Sequence, residues 1–253
     1  MIHWYTMTRI ISISLSKGGV GKTTTAVNLS AALAISGRRV LLLDTDTQAQ
    51  AGKALGVRPE VGLADFMLGN VTFENAVVEA RPDLHLLAGG HRLAAVKQVI
   101  AEADMRQEET LSAALMPYIP YYHYVILDTS PGWDNLQINV LFFAQEVLTP
   151  VNLEVLSLDG LIEFTRRIDE VRRYHDVQLR YVLPTALDRR VKQTAEIMPQ
   201  LAQYFGDAVC EPIRYNVRLS EAPAHGQHIF EYDPQSNGAQ DYMALTKRIV
   251  NDE

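Results

Sequence analysis

Ser16-Lys17-Gly18-Gly19-Val20-Gly21-Lys22-Thr23-Thr24 follows the β-branched run Ile10-Ile11-Ser12-Ile13-Ser14 and opens an Ala/Leu-rich segment. Strand, glycine loop and helix in that order are what a phosphate-binding loop needs. Glycines let successive backbone N–H groups curl around phosphate oxygens, and the helix N-terminus adds positive potential. Gly21-Lys22-Thr23 matches the end of the P-loop pattern, in which Lys22 reaches the β- and γ-phosphates and the Thr23 hydroxyl ligates Mg²⁺. Ser16 stands where the strict pattern has glycine, and the pattern gives no reason for the second lysine, Lys17.

Outward from the loop, Arg39-Val40-Leu41-Leu42-Leu43-Asp44 and Tyr124-Val125-Ile126-Leu127-Asp128 are continuous apolar runs. Strands apolar on both faces belong to parallel sheets covered by helices on each side. Further strands are predicted at 84–87, 147–151, 181–183 and 209–213. Helices are predicted over 22–36, 134–143, 158–175, 192–205 and 239–250, and the rest of 47–117 reads as mostly helical. The alternation predicts an α/β fold, a doubly wound and mostly parallel sheet with helices on both faces. No linker, repeat or low-complexity segment interrupts it, so 1–253 reads as a single P-loop domain with 1–7 as a flexible lead-in.

Composition narrows the function classes. Cys210 is the one cysteine of 253 residues, which excludes a disulfide framework or a cysteine-based metal site within one chain. A reduced, half-buried thiol in a cytosolic protein is the expectation. Met1 to Thr6 lack the apolar run of a signal peptide, and no stretch reaches the roughly 20 apolar residues of a spanning helix. The formal net charge of −7 argues against a uniformly basic nucleic-acid binder while leaving room for a local basic patch.

Ligands of open parallel sheets sit beyond the carboxyl ends of the strands. Asp44 and Asp46 end one apolar strand and Asp128 ends another. An acid in that position is the expected Walker B partner, holding Mg²⁺ directly or through water, and Asp128 fits best. Of Asp44 and Asp46, one is expected near the metal and the other beside the attacking water. Lys53, Asp65 and the histidines have no nameable partner and read as surface or core residues.

Lys17 to Thr24 resembles the deviant Walker A motif of the ParA/MinD ATPases. Asp44-x-Asp46-x-Gln48 looks like their switch I, and Asp128-Thr129-Ser130-Pro131 like their switch II. Asn216 to Gly226, with Tyr232-Asp233-Pro234 and Ser236 to Ala239, is similar to the signature of the ParA/Soj branch. The likeness runs from about residue 8 to 250. It implies an ATP hydrolase of weak intrinsic activity, with ATP and Mg²⁺ as cofactors. Gly18, Gly19, Val20, Gly21, Lys22, Thr23 and Thr24 would hold the nucleotide, and Thr23, Asp46 and Asp128 would serve the metal. Asp46 would position the hydrolytic water. Lys17 would cross the interface of an ATP-bound homodimer to the partner's nucleotide, a charge supplied in trans comparable to an arginine finger worth roughly 10³–10⁵ in rate. Arg214 and Asn216 match positions flanking the adenine. Arg214 stands where the family commonly has proline, so it would have to stack on the base instead. Thr47 and Ser130 likewise replace prolines of the two switches.

The resemblance further implies non-specific binding of double-stranded DNA by the dimer, a ParB-like or other adaptor that stimulates hydrolysis, and a cytoplasmic, nucleoid-associated protein that segregates chromosome or plasmid DNA or positions a cargo. Phosphate contact needs Lys or Arg. One basic region, Arg166, Arg167, Arg172 and Arg173, reads as a salt-bridged helix face, with Arg166 and Arg173 three or four residues from Asp169 and Glu170. The other, Arg189, Arg190, Lys192 and Arg218, has fewer acids nearby in sequence and is the favoured DNA contact. The alternative, a MinD-like membrane-associated division-site ATPase, needs a basic amphipathic tail, whereas the sequence ends Asn251-Asp252-Glu253. A nitrogenase-iron-protein-like reductase would need two bridging cysteines. A biosynthetic P-loop ligase would leave the C-terminal run unexplained.

Overall fold

The computed structural model describes residues 7–153, 155–188 and 190–253. The first half runs β1 (Arg9–Ile13), α1 (Lys22–Ile35), β2 (Val40–Asp44), α2 (Gln50–Ala54), α3 (Leu63–Met67), α4 (Phe73–Ala76), β3 (Val77–Arg81), β4 (Leu84–Leu87), α5 (Leu93–Glu102) and α6 (Thr110–Leu115). Then come β5 (Tyr124–Asp128), α7 (Asn135–Phe143), β6 (Glu146–Asn152), α8 (Val155–Val171), β7 (Gln178–Thr185), α9 (Lys192–Phe205), α10 (Val217–Glu221), α11 (Ile229–Tyr232) and α12 (Asn237–Asn251).

The described strands form one sheet in the order β3-β4-β2-β5-β1-β6-β7, parallel except for the β3–β4 pair. The continuous apolar runs divide by alternation. Leu41, Leu43, Val125 and Leu127 pack on the face covered by α5 to α9, while Val40, Leu42, Tyr124 and Ile126 pack on the face covered by α1 and α12. Leu41, Leu42 and Leu43 are completely buried, each contributing roughly 2 kcal/mol of burial. The doubly wound architecture is therefore as expected from the sequence.

Two element readings are corrected. β3 falls within 47–117, where the sequence predicts a strand at 84–87 alone. It is an edge strand, half-exposed and only five residues long, so its Val77-Val78 start is too brief to show a period. The strand expected at 209–213 is reduced to isolated bridges, Val182 with Val209 and Leu187 with Arg214. Pro212 within it has no N–H to give a ladder.

Parallel register decides the site. Ile13, Asp44 and Asp128 are neighbours across β1, β5 and β2, so the loop after β1 and both strand-end acids open at one edge.

Candidate functional site

The loop after β1 is shaped by two residues in the left-handed region, Gly19 (φ 73°) and Gly21 (φ 90°), where any side chain would strain the backbone. Gly21 precedes the first turn of α1, and its carbonyl accepts the Thr25 N–H at 2.8 Å. Lys22 is buried at the loop's centre, with its Nζ donating to the Lys17 carbonyl at 2.7 Å. Burial lowers the Lys22 pKa, and the charges of Asp128 and Asp46 oppose that fall. Lys17 itself is half-buried.

Polar groups that sequence reading passes over fix the loop from behind. The Thr185 hydroxyl at the end of β7 donates to the Val20 carbonyl at 3.0 Å and meets Asn152 Oδ1 at 2.9 Å. Thr129 donates to the Ile13 carbonyl at 2.8 Å, and Gln137 Nε2 of α7 donates to Ser14 Oγ at 3.1 Å. The loop and the groups that hold it lie more than a hundred residues apart in sequence, so no local pattern announces them.

The two acids of β2 take different parts. Asp44 is fully buried, and its carboxylate accepts the N–H groups of Asp46 at 2.9 Å and Ala51 at 3.1 Å. It braces the turn that carries Asp46. Burial pushes Asp44 up to about 7, against those backbone donors. Asp46 is at the cavity surface; its Oδ1 accepts the Gln48 N–H at 2.9 Å, and its carbonyl accepts that of Gly90 at 3.0 Å. Gly89 admits no side chain there, because a Cβ would stand 2.5 Å from the Asp46 carbonyl.

Asp128 is the second perturbed acid of the site. It is completely buried, and neither carboxylate oxygen has a hydrogen-bond partner. Burial first, then the neighbouring Asp44 charge, raises its pKa well above the carboxylate range. The nearby Thr23 hydroxyl and the Lys22 charge pull the other way. A buried acid without a donor calls for a compensating cation or ordered water. No group of three or more His, Cys, Asp and Glu able to hold an ion exists among the described residues. One hydroxyl at Thr23 and one carboxylate suit an ion that keeps its waters and draws further ligands from a phosphate, the habit of Mg²⁺.

A cavity of about 590 Å³ joins these parts, lined by Gly18, Gly19, Gly21, Lys22, Thr23, Thr24, Asp46 and Thr129. Lys53 lines it as well, with its Nζ donating to the Gln48 carbonyl at 2.6 Å, so Lys53 is a site residue and not a bare surface lysine. Asp65 is also more than filler. It is buried, accepts the Gly62 N–H at 3.2 Å and pairs with Arg92.

A smaller cavity of about 270 Å³ shares Gly19, Gly21, Thr24 and Leu219 with the first and is walled by Arg214, Tyr215 and Asn216. Arg214 and Asn216 thus flank the cleft, but both side chains are engaged. The Arg214 guanidinium grips Asp241 at 2.6 Å, and Asn216 Oδ1 caps α10 by accepting the Arg218 N–H at 2.9 Å.

The basic regions require a correction. Arg190 pairs with Asp188 at 2.7 Å, and Arg218 with Glu221 at 2.9 Å and Asp233 at 3.6 Å. The favoured patch is therefore not poor in acids. Arg189 lies outside the described residues; Lys192 opens α9, and its side chain is likewise outside them. On α8 the pairs are Arg167 with Glu163 and Arg172 with Asp169. Arg166 and Arg173, expected to be paired, are exposed and make no ion pair among the described residues.

At the far end of the chain, the apolar face of α12 is spent inside the molecule, with Tyr242, Leu245 and Ile249 buried. Glu253 pairs with Arg38 and accepts from Tyr124, and Asp252 accepts from Tyr181. No described helix is long and apolar enough to cross a membrane.

A family model described as an AAA domain matches residues 8–181. The chromosome partitioning protein ParA of Myxococcus xanthus is 37% identical, over 98% of this chain and 89% of its own. The sporulation initiation inhibitor protein Soj of Bacillus subtilis is 36% identical, over 96% of this chain and 99% of its own. Among solved structures, cobyrinic acid a,c-diamide synthase from Mycobacterium smegmatis with bound ADP and magnesium superposes with a TM-score of 0.83 at 28% identity, covering 97% of this chain and 95% of that one.

Proposed function

The chain belongs to the ParA/Soj branch of the ParA/MinD ATPases, and from that premise we propose that it is a partition ATPase whose ATP-bound form is a homodimer. The observation that carries the reading is the buried Asp128 carboxylate, without a hydrogen-bond partner and near Lys22 and Thr23, which line the phosphate-loop cavity. That arrangement suits a magnesium-bound nucleotide triphosphate.

Bound Mg²⁺ would neutralise phosphate charge and so favour cleavage of the terminal phosphoryl group. The chain's own residues do the rest. Backbone N–H groups of Gly18 to Gly21 and the start of α1 receive the phosphates, and Lys22 adds a fixed charge. Thr23 would offer its hydroxyl to the metal, and Asp128 would hold it directly or through water. Asp46, held by the Asp44 brace and by Gly90, orients the attacking water. Lys17, half-buried in the loop, supplies its ammonium to the partner's nucleotide. The wall of Arg214 and Asn216 takes the adenine side of the cleft.

The dimer binds double-stranded DNA without sequence preference, through Arg189, Arg190, Lys192 and Arg218, and an adaptor of the ParB kind accelerates its weak hydrolysis and release. Ion pairs at Arg190 and Arg218 must open or be shared for phosphate contact. The buried apolar face of α12 supports this reading over membrane attachment, because no amphipathic face is left there. The higher identity of the partitioning relatives, 36–37% against 28% for the synthase, favours partition over amide synthesis despite the shared shape.

Measurement of ATP turnover and ATP binding with wild type and Asp46→Ala tests the proposal. Slow, magnesium-dependent hydrolysis by the wild type, lost in the variant with ATP binding kept, is expected. A variant that turns over ATP at the wild-type rate removes Asp46 from its role.

A further inference from the structure

Trp133 plays no part in the pattern that marks switch II, yet it is the side chain by which that loop meets α8. Its indole packs edge-on against Phe164, with ring centroids 6.3 Å apart and planes at 80°. The Arg167 guanidinium sits over the same ring, 5.0 Å from its centroid, and Glu163 holds that guanidinium at 2.7 Å. Phe164 is buried in the core, so the platform under the indole is fixed.

The loop's other side touches the phosphate loop. The Gly132 N–H donates to the Ser16 carbonyl at 3.2 Å, and the Pro131 ring lies 3.9 Å from where a Cβ on Gly18 would stand. Asp134 then ends the segment by capping α7, accepting the Gln137 N–H at 2.9 Å, and by pairing with Lys97 of α5 at 2.6 Å. Gly132, at φ 117°, gives the backbone freedom in the middle of this bridge. The ring therefore anchors this segment on its α8 side, as the Gly132–Ser16 bond anchors it on the phosphate-loop side.

We infer that Trp133 is a positioning residue for hydrolysis, clamped between Phe164 and Arg167 so that Thr129 and Pro131 stay seated over the phosphate loop. The inference rests on the ATPase reading given above. Trp133 does not line the 590 Å³ cavity, so it acts through the loop and not by touching nucleotide. Aromatic pairing and a cation over a ring are each modest interactions. Together they are enough to hold a glycine-hinged loop in one arrangement most of the time, and a ligand that alters the loop alters the ring's surroundings.

The test uses the full chain with Trp4→Phe, which leaves Trp133 as its single indole. Magnesium-bound ATP should change the Trp133 emission more than magnesium-bound ADP does. Trp133→Ala should lower kcat about tenfold while ATP affinity stays within twofold, Trp133→Phe should restore most of the rate, and Arg167→Met should give an intermediate loss. Emission indifferent to the terminal phosphate, or an unchanged kcat in Trp133→Ala, overturns the inference. Should the alanine variant fail to fold, Trp133→Phe and Arg167→Met carry the same test, and normal kcat in Arg167→Met with unresponsive emission refutes it. Absence of ATP binding by the wild type would instead overturn the ATPase reading itself.

Discussion

Replacing Asp128 by Asn should stabilise the nucleotide-free protein, and by an amount that grows with pH. The folded-state pKa of Asp128 lies well above its ordinary 3.8, through burial and the Asp44 charge. Between those two values the native state binds a proton that the unfolded chain has released. The stability contributed by this group is therefore fully present below about pH 4 and is lost as pH rises through the folded pKa. The slope is about 1.4 kcal/mol per pH unit while it lasts. Asp44, its register neighbour, is raised as well, to about 7, and the two carboxyls titrate as a pair. Asn has nearly the same shape and no proton to lose. Urea unfolding of both proteins without nucleotide or magnesium, at pH 4.5, 6 and 7.5, should give a variant advantage near zero at the lowest pH. The advantage should grow at each higher pH, by at most about 1.4 kcal/mol per pH unit. Added magnesium and ATP should reverse the order, because the wild type gains the compensating cation and the variant does not. A difference that stays flat with pH would refute the claim that Asp128 is held unpaired in the native state.

Gly89→Ala should destabilise the chain by about 1–3 kcal/mol, since its Cβ would collide with the Asp46 carbonyl and the Asp44 carboxylate. Thermal unfolding would read the loss, and ATP binding should fall with it as the Asp46 turn shifts. On DNA, Arg218→Glu should weaken retention and flatten its salt dependence, by about one unit of slope for each phosphate no longer neutralised, with dimerisation unaffected. Unchanged retention in that variant, with weaker retention in Arg166→Glu/Arg173→Glu, would move the DNA-binding face to α8, where both arginines are exposed.

The sheet and the phosphate loop are legible in the sequence because their signals are local. Continuous apolar runs such as Val40 to Leu43, short and bounded by polar residues, read as central strands, and the Gly-Lys-Thr end of the loop is a contiguous word. What escapes reading depends on partners distant in sequence. Asp44 and Asp46 look alike two residues apart, and only the fold separates the buried brace from the group at the cavity surface. Arg218 has one acid within reach in sequence, Glu221, and gains a second only when the turn carrying Asp233 folds back on it. Lys53 enters the site because the short α2 turns it toward Gln48. The edge strand β3 carries a half-exposed face, so hydrophobicity marks it weakly.

The central claim is that ATP completes a site shared by two chains, with Lys17 as the residue that crosses. Light scattering on size-exclusion chromatography of the Asp46→Ala variant, with ATP and magnesium, measures this directly. The account predicts twice the chain mass with ATP, a single chain mass with ADP, and a single chain mass with ATP once Lys17→Ala is added. A monomer that holds ATP, or a dimer indifferent to nucleotide and to Lys17, would contradict it.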